Sequence, residues 1–84
     1  MIGMFAVSKA GHDKNQIYII IEDTGEYVYL VDGISKLMLH PKKKNKKHIQ
    51  IIQTYKDESI ANKLKNKEPV QNEEVKRAIK ILAY

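Results

Sequence analysis

Two groups of basic residues stand out as able to do chemistry in this chain. Lys9, His12 and Lys14 fall within six positions of the segment SKAGHDKNQ, residues 8–16. Residues 41–48, PKKKNKKH, hold Lys42, Lys43, Lys44, Lys46 and Lys47, five lysines in eight residues, and end on His48. Lysine is a compact, strongly hydrated cation that meets phosphate as a point charge. Contacts of that kind position a polyanion and carry little sequence information. Clustered like charges repel one another, and a polyanionic partner relieves that repulsion. Lys36, a few residues upstream, extends the same patch.

The rest of the charge is arranged so that this excess stands alone. Residues 1–32 carry two lysines and five acids, a net of −3; residues 33–56 carry seven lysines and no acid, +7; residues 57–84 carry six bases and five acids, +1. A basic patch on an otherwise balanced chain is the electrostatic footprint of a polyanion binder. Competing chemistries find no support. The pair His12-Asp13 is similar to the HD pair of metal-dependent phosphohydrolases, but those enzymes need further His and Asp ligands on helices, and this pair falls in a predicted turn. No metal is expected. Asp23, Glu26 and Asp32 lie at hairpin ends, where aspartate favours turns. Glu73 and Glu74 suit the first turn of a helix. There is no phosphate-binding loop, dinucleotide fingerprint or nucleophile motif, so neither catalysis nor a cofactor is expected. The chain has no cysteine, which removes disulfides, Cys-type zinc and thiol chemistry. Its longest apolar run, residues 17–21, is far short of the roughly 20 residues that cross a bilayer. The first residues, MIGMFAVSKAG, lack the basic start and long apolar stretch of a signal peptide. A cytoplasmic protein with no membrane contact is expected.

Short strands must position these cations. Residues 4–7 are apolar. Residues 16–22, QIYIIIE, are β-branched and aromatic and read as a buried strand. Asp23-Thr24-Gly25 suits a hairpin loop whose third residue is left-handed. Residues 26–31, EYVYLV, return as the partner, with Tyr27, Tyr29 and Val31 on one face and Val28 and Leu30 on the other. Asp32-Gly33 is a second turn. Residues 36–39 read as a short strand ending before Pro41, which has no backbone donor. The lysine run then reads as a loop, and residues 49–55, IQIIQTY, as a fifth strand. Five short strands with tight turns suggest a small closed barrel.

The period then changes. Ile60 and Leu64 lie one helical turn apart, and Pro69 closes that segment. Asn72 is placed as an N-cap, and Val75, Ala78, Ile79 and Leu82 follow the i, i+3, i+4, i+7 stripe of an amphipathic helix. Tyr18, Tyr27, Tyr29, Tyr55 and Tyr84 read as core or half-core aromatics ahead of base-stacking platforms. Gly11 reads first as a turn residue needing positive φ.

Residues 6–22, AVSKAGHDKNQIYIIIE, resemble a KOW motif: a strand, a tight basic loop centred on glycine, and a second strong strand. Such domains occur in large-subunit ribosomal proteins and in transcription elongation factors. Residues 31–50, VDGISKLMLHPKKKNKKHIQ, extend the likeness to the small bacterial KOW-domain RNA-binding proteins, with their D-G turn, short strand, Pro-Lys-rich loop and final strand. Many members place a second glycine where this chain has Asn15, a residue that tolerates left-handed backbone. The resemblance implies a mainly β fold with C-terminal helices: a five-stranded SH3-like barrel of KOW type over residues 1–55, then two short α-helices over residues 56–84 packed on it as one domain.

The expected function is RNA binding, associated with the ribosome or its RNA, through two adjacent basic loops. Lys9, His12 and Lys14 form one; Lys42, Lys43, Lys44, Lys46, Lys47 and His48 form the other; Lys36 extends the patch. Recognition is of shape and phosphate. Ribosomal proteins are further expected partners, and a monomer is the favoured state. The alternative is a protein–protein adaptor, an SH3-like barrel docking an acidic partner on the same lysines.

Overall fold

A computed structural model describes residues 1–83, so Tyr84 and its expected role lie outside the described residues. The strands are β1 (Met4–Ser8), β2 (Ile17–Asp23), β3 (Tyr27–Val31), β4 (Lys42–Asn45) and β5 (Ile49–Lys56), followed by α1 (Glu58–Lys65) and α2 (Asn72–Ala83). They form one antiparallel sheet in the order β4-β3-β2-β1-β5. No described helix is long and apolar enough to cross a membrane.

Strand alternation sends apolar residues to both faces of this sheet. Phe5, Ile19 and Val31 lie on one face, fully buried under Ile60, Val75 and Ala78 of the two helices. Ala6, Tyr18, Ile20, Val28 and Leu30 lie on the other, joined by Ile49 and Ile51 of β5. Among the described residues no helix residue joins this second cluster, and the sheet curls enough for Lys44 of β4 to reach Ser8 of β1 at 2.7 Å. Register shifts between Ile20 and Glu22 and between Met4 and Phe5 supply local bends. The β4 and β5 edges are not hydrogen-bonded to one another, and the sheet is open in that sense.

The helices begin with local polar bonds. Asp57 caps α1 by accepting the Ile60 N–H at 3.0 Å. In α2 the stripe of Val75, Ala78, Ile79 and Leu82 turns toward the sheet as expected. The expected N-cap role of Asn72 does not hold. Its Oδ1 accepts the Met38 N–H at 2.9 Å, which ties the segment before Pro41 to the helix. The helix start is completed instead by Glu74, whose Oε2 accepts the Gln71 N–H at 2.8 Å while Glu74 N–H donates to Gln71 O at 3.1 Å. Lys63 of α1 then joins Glu74 by an ion pair of 2.6 Å.

One strand lies elsewhere than expected. Residues 36–39 form a turn with a single bridge, Leu37 to His40, and the fourth strand is the lysine run itself. Asp32 starts the turn. Its Oδ1 accepts the N–H groups of Ile34, Ser35 and Lys36 at 2.8–2.9 Å, curling the chain back on itself. Burial acts to raise the Asp32 carboxyl, and these bonds outweigh it and lower it overall. Gly33 follows at φ +78°, pressed so closely on α2 that an added Cβ would stand 2.8 Å from Lys76 N.

Candidate nucleic-acid interface

The lysine run forms the fourth strand through the way its side chains are paired. In β4, Lys42 opposes Leu30 and Lys44 opposes Val28, so both lysines point to the inner, curled face of the sheet. Lys43 opposes Tyr29 and points outward. Two lysines aimed at an apolar interior need a counter-ion, and Asp13 supplies it. The loop of residues 9–16 brings Asp13 back over Ser8 and Tyr18, with Gly11 at φ +91° and Asn15 at φ +76°. Asn15 thus adopts the left-handed conformation expected of it.

The Asp13 carboxylate, 11% exposed, is saturated. Its Oδ1 accepts from Lys44 Nζ at 2.6 Å and lies 2.9 Å from Ser8 Oγ; its Oδ2 accepts from Tyr18 OH at 2.8 Å and from Lys42 Nζ at 3.0 Å. Burial alone would raise this carboxyl, but the bonds from Lys44, Lys42, Tyr18 and Ser8 hold it well below the usual carboxylate range. The Tyr18 phenol is pushed up, first by burial and then by its bond to the ionised Asp13. Lys44 is saturated as well: its three N–H donors meet Asp13 Oδ1, Ser8 Oγ at 2.7 Å and Ala10 O at 2.8 Å. With its side chain only 10% exposed, Lys44 has nothing left to offer a phosphate.

The ten basic residues singled out from the sequence therefore divide. Lys44 is internal. Lys46 pairs with Asp23 at 2.7 Å, and that bond, then one from the Gly25 N–H, lowers the Asp23 carboxyl. Lys42 gives one donor to Asp13 and keeps a side chain 31% exposed. With His12 and Lys36 it lines a groove of about 370 Å³ between the loop of residues 9–16 and the Asp32 turn. Lys43 is exposed, its ammonium 4.3 Å above the Tyr27 ring. Lys9, Lys14, Lys47 and His48 are exposed, Lys9 reaching Gln50 Oε1 at 3.1 Å.

The two basic segments touch. Lys9 N–H donates to His48 O at 2.7 Å, and Lys44 bridges β4 to Ala10. The second segment is not a loop, however, but an edge strand and the 3-10 turn Lys46–His48 that leads into β5. Asn45 starts that turn by accepting the Lys47 N–H at 3.0 Å. Sequence reasoning missed Asp13 as the organising residue. The available signal was that it is the one acid among the bases of residues 9–16, flanked by Ser8 and Tyr18. No family model matches the chain, and no curated protein does so.

Proposed function

We propose that this protein binds structured RNA, as a ribosome- or ribosomal-RNA-associated factor built on an SH3-like barrel of KOW type, and that it is not an enzyme. The observation that carries this reading is the meeting of the two basic segments through Lys9–His48 and Lys44–Ala10. It gathers exposed cations from distant parts of the chain onto one rigid support. The strand order, the positive-φ Gly11 loop and the 3-10 turn between β4 and β5 support the barrel type.

The contact set is Lys9, His12, Lys14, Lys36, Lys43, Lys47 and His48, with Lys42 at the groove edge. Lys44 and Lys46 hold the frame. Phosphates bind these side chains singly, so shape and backbone are read ahead of bases. With about four to six phosphates neutralised, log K falls with log salt at a slope of roughly −3 to −5.

The test is a salt titration of RNA binding for the wild type and for the combined Lys14→Ala, Lys43→Ala and Lys47→Ala variant. A slope flattened by about 2–3 is expected, because each lysine contributes about one phosphate contact. An unchanged affinity and slope overturn the reading. So does purification free of nucleic acid together with capture, after nuclease treatment, of one defined acidic protein on these same lysines. That outcome is the adaptor alternative.

A further inference from the structure

A second cationic surface lies away from this face. Met4 opposes Lys56 and Ser8 opposes Ile49 in the β1–β5 ladder, so the start of β1 and the end of β5 are remote from the Gly11 loop. There the N-terminal segment, β5 and α1 enclose a groove of about 620 Å³. Met1, Ile2 and Leu64 give it apolar walls, and Lys56, Lys65 and Lys67 stand around it. Met1 is 49% and Ile2 45% exposed, so both offer apolar surface to a ligand. Among the described residues, the three ammonium groups make no ion pair and no side-chain hydrogen bond. The acid in the groove, Asp23, is held by Lys46 and by the Gly25 N–H at 2.9 Å.

Lys67 adds a second observation. It follows α1 in the left-handed conformation, φ +58°. Glu68 N–H donates to Lys63 O at 2.8 Å and Lys67 N–H to Leu64 O at 3.2 Å, the double bond pattern that closes a helix on a left-handed residue. Glycine fills that position without steric cost. A lysine there strains the backbone and places a cation at the mouth of an apolar recess.

We propose that this groove docks an acidic amphipathic segment of a partner protein. Its apolar side chains enter between Ile2 and Leu64, and its carboxylates meet Lys56, Lys65 and Lys67. An RNA would satisfy the charge but leave the apolar walls wet. Apolar anchors in a groove with charges at the rim are a recurring mode of helix recognition. The Asp23–Lys46 pair links this groove to the frame of the proposed RNA face, but none of the proposed RNA contact residues lines it, so either reading stands without the other.

The probe is a synthetic helical peptide with leucine every three or four residues and glutamate at the positions between. It is titrated into the full chain and followed by backbone nitrogen–proton correlation spectra. Shifts are expected at Ile2, Lys56, Leu64, Lys65 and Lys67. The Lys56→Glu, Lys65→Glu pair should weaken binding by about tenfold or more, as reversed rim charges oppose a carboxylate-bearing partner. Lys67→Gly should weaken peptide binding while its thermal midpoint holds or rises, a split that a purely structural lysine cannot produce. A matched peptide with lysine in place of glutamate should not bind. The proposal is overturned if the shifts fall elsewhere, if the charge-reversed variant binds as well as wild type, or if vesicles rich in phosphatidylglycerol move the same resonances and the peptide does not.

Discussion

Replacing Asp13 by asparagine tests the centre of this structure most directly. The amide keeps the shape of the carboxylate and removes its charge. Lys44, 10% exposed, would retain Ser8 Oγ and Ala10 O but lose its only counter-ion at 2.6 Å, and Lys42 would lose its partner at 3.0 Å. Removing one partner of a fully buried pair costs about 3–5 kcal/mol. Lys42 is 31% exposed and water shares its charge, so about 2–4 kcal/mol is expected here. A core of this size leaves about 3–5 kcal/mol in total. The variant should therefore keep only about 1 kcal/mol, roughly one molecule in six unfolded at room temperature, with a thermal midpoint lowered by about 10–25 °C. Urea titration followed by far-ultraviolet circular dichroism reads the loss. The companion variants Lys44→Met and Asp13→Asn/Lys44→Met complete a cycle. The double variant should be more stable than Asp13→Asn alone, with a coupling of about 1.5–3 kcal/mol. The reasoning fails if Asp13→Asn loses less than about 0.5 kcal/mol, or if removing the orphaned ammonium restores nothing.

Acid should weaken the wild type through the same group. The folded Asp13 carboxyl sits below its unfolded value, so its contribution is complete above about pH 4 and disappears as pH falls through the folded pKa. Asp32 acts with the same sign, and a pH series of urea midpoints should show a smaller acid loss in Asp13→Asn than in wild type. Gly33→Ala must accept both positive φ and a Cβ set 2.8 Å from Lys76 N; calorimetry should show a loss of about 2–4 kcal/mol. Gly11→Ala meets nothing closer than Asp13 Oδ1 at 3.5 Å and should lose only about 1 kcal/mol, the φ cost alone. Lys44→Met should leave the salt slope of RNA binding unchanged, whereas Lys47→Ala should flatten it by about 1, since only the second lysine is placed to meet a phosphate.

Much of the fold was legible because it rests on short-range signals. Residues 17–21 had the composition of a buried strand, Asp23-Thr24-Gly25 had the chemistry of its turn, and Val75, Ala78, Ile79 and Leu82 had a helical period. Each became the element expected. The errors arose where side-chain bonds to the backbone, near or far, overrode the apolar pattern. Asn72 looks like a cap because caps are local, but its partner is Met38, 34 residues away. Residues 36–39 look extended because leucine and methionine alternate beside a proline. Asp32 curls residues 34–36, His40 N–H then closes on Leu37 O at 2.9 Å, and Asn72 holds Met38 between them, none of which a local apolar pattern reports.

The lysine strand was illegible for a different reason. Register in a sheet is ordinarily set by which residues are apolar, and a strand reading Lys-Lys-Lys-Asn has no such pattern. A slip of one residue would send Lys43 inward and turn Lys42 and Lys44 to solvent. What favours the observed register is a pair of carboxylates from elsewhere in the chain, Asp13 first and Asp23 second. Asp13 accepts from Lys42 and Lys44, two residues apart and on one face, and leaves Lys43 over Tyr27. A buried ion pair is weak grounds for stability in itself, because an apolar pair of the same shape can do as well. It is a stronger device for choosing one pairing over another that is otherwise nearly equal. The run of like charges is thus a poor count of the charge available to a ligand. Asp13 and Asp23 together pair with three of the seven lysines in residues 33–56, Lys42, Lys44 and Lys46, and so set which of the rest face outward.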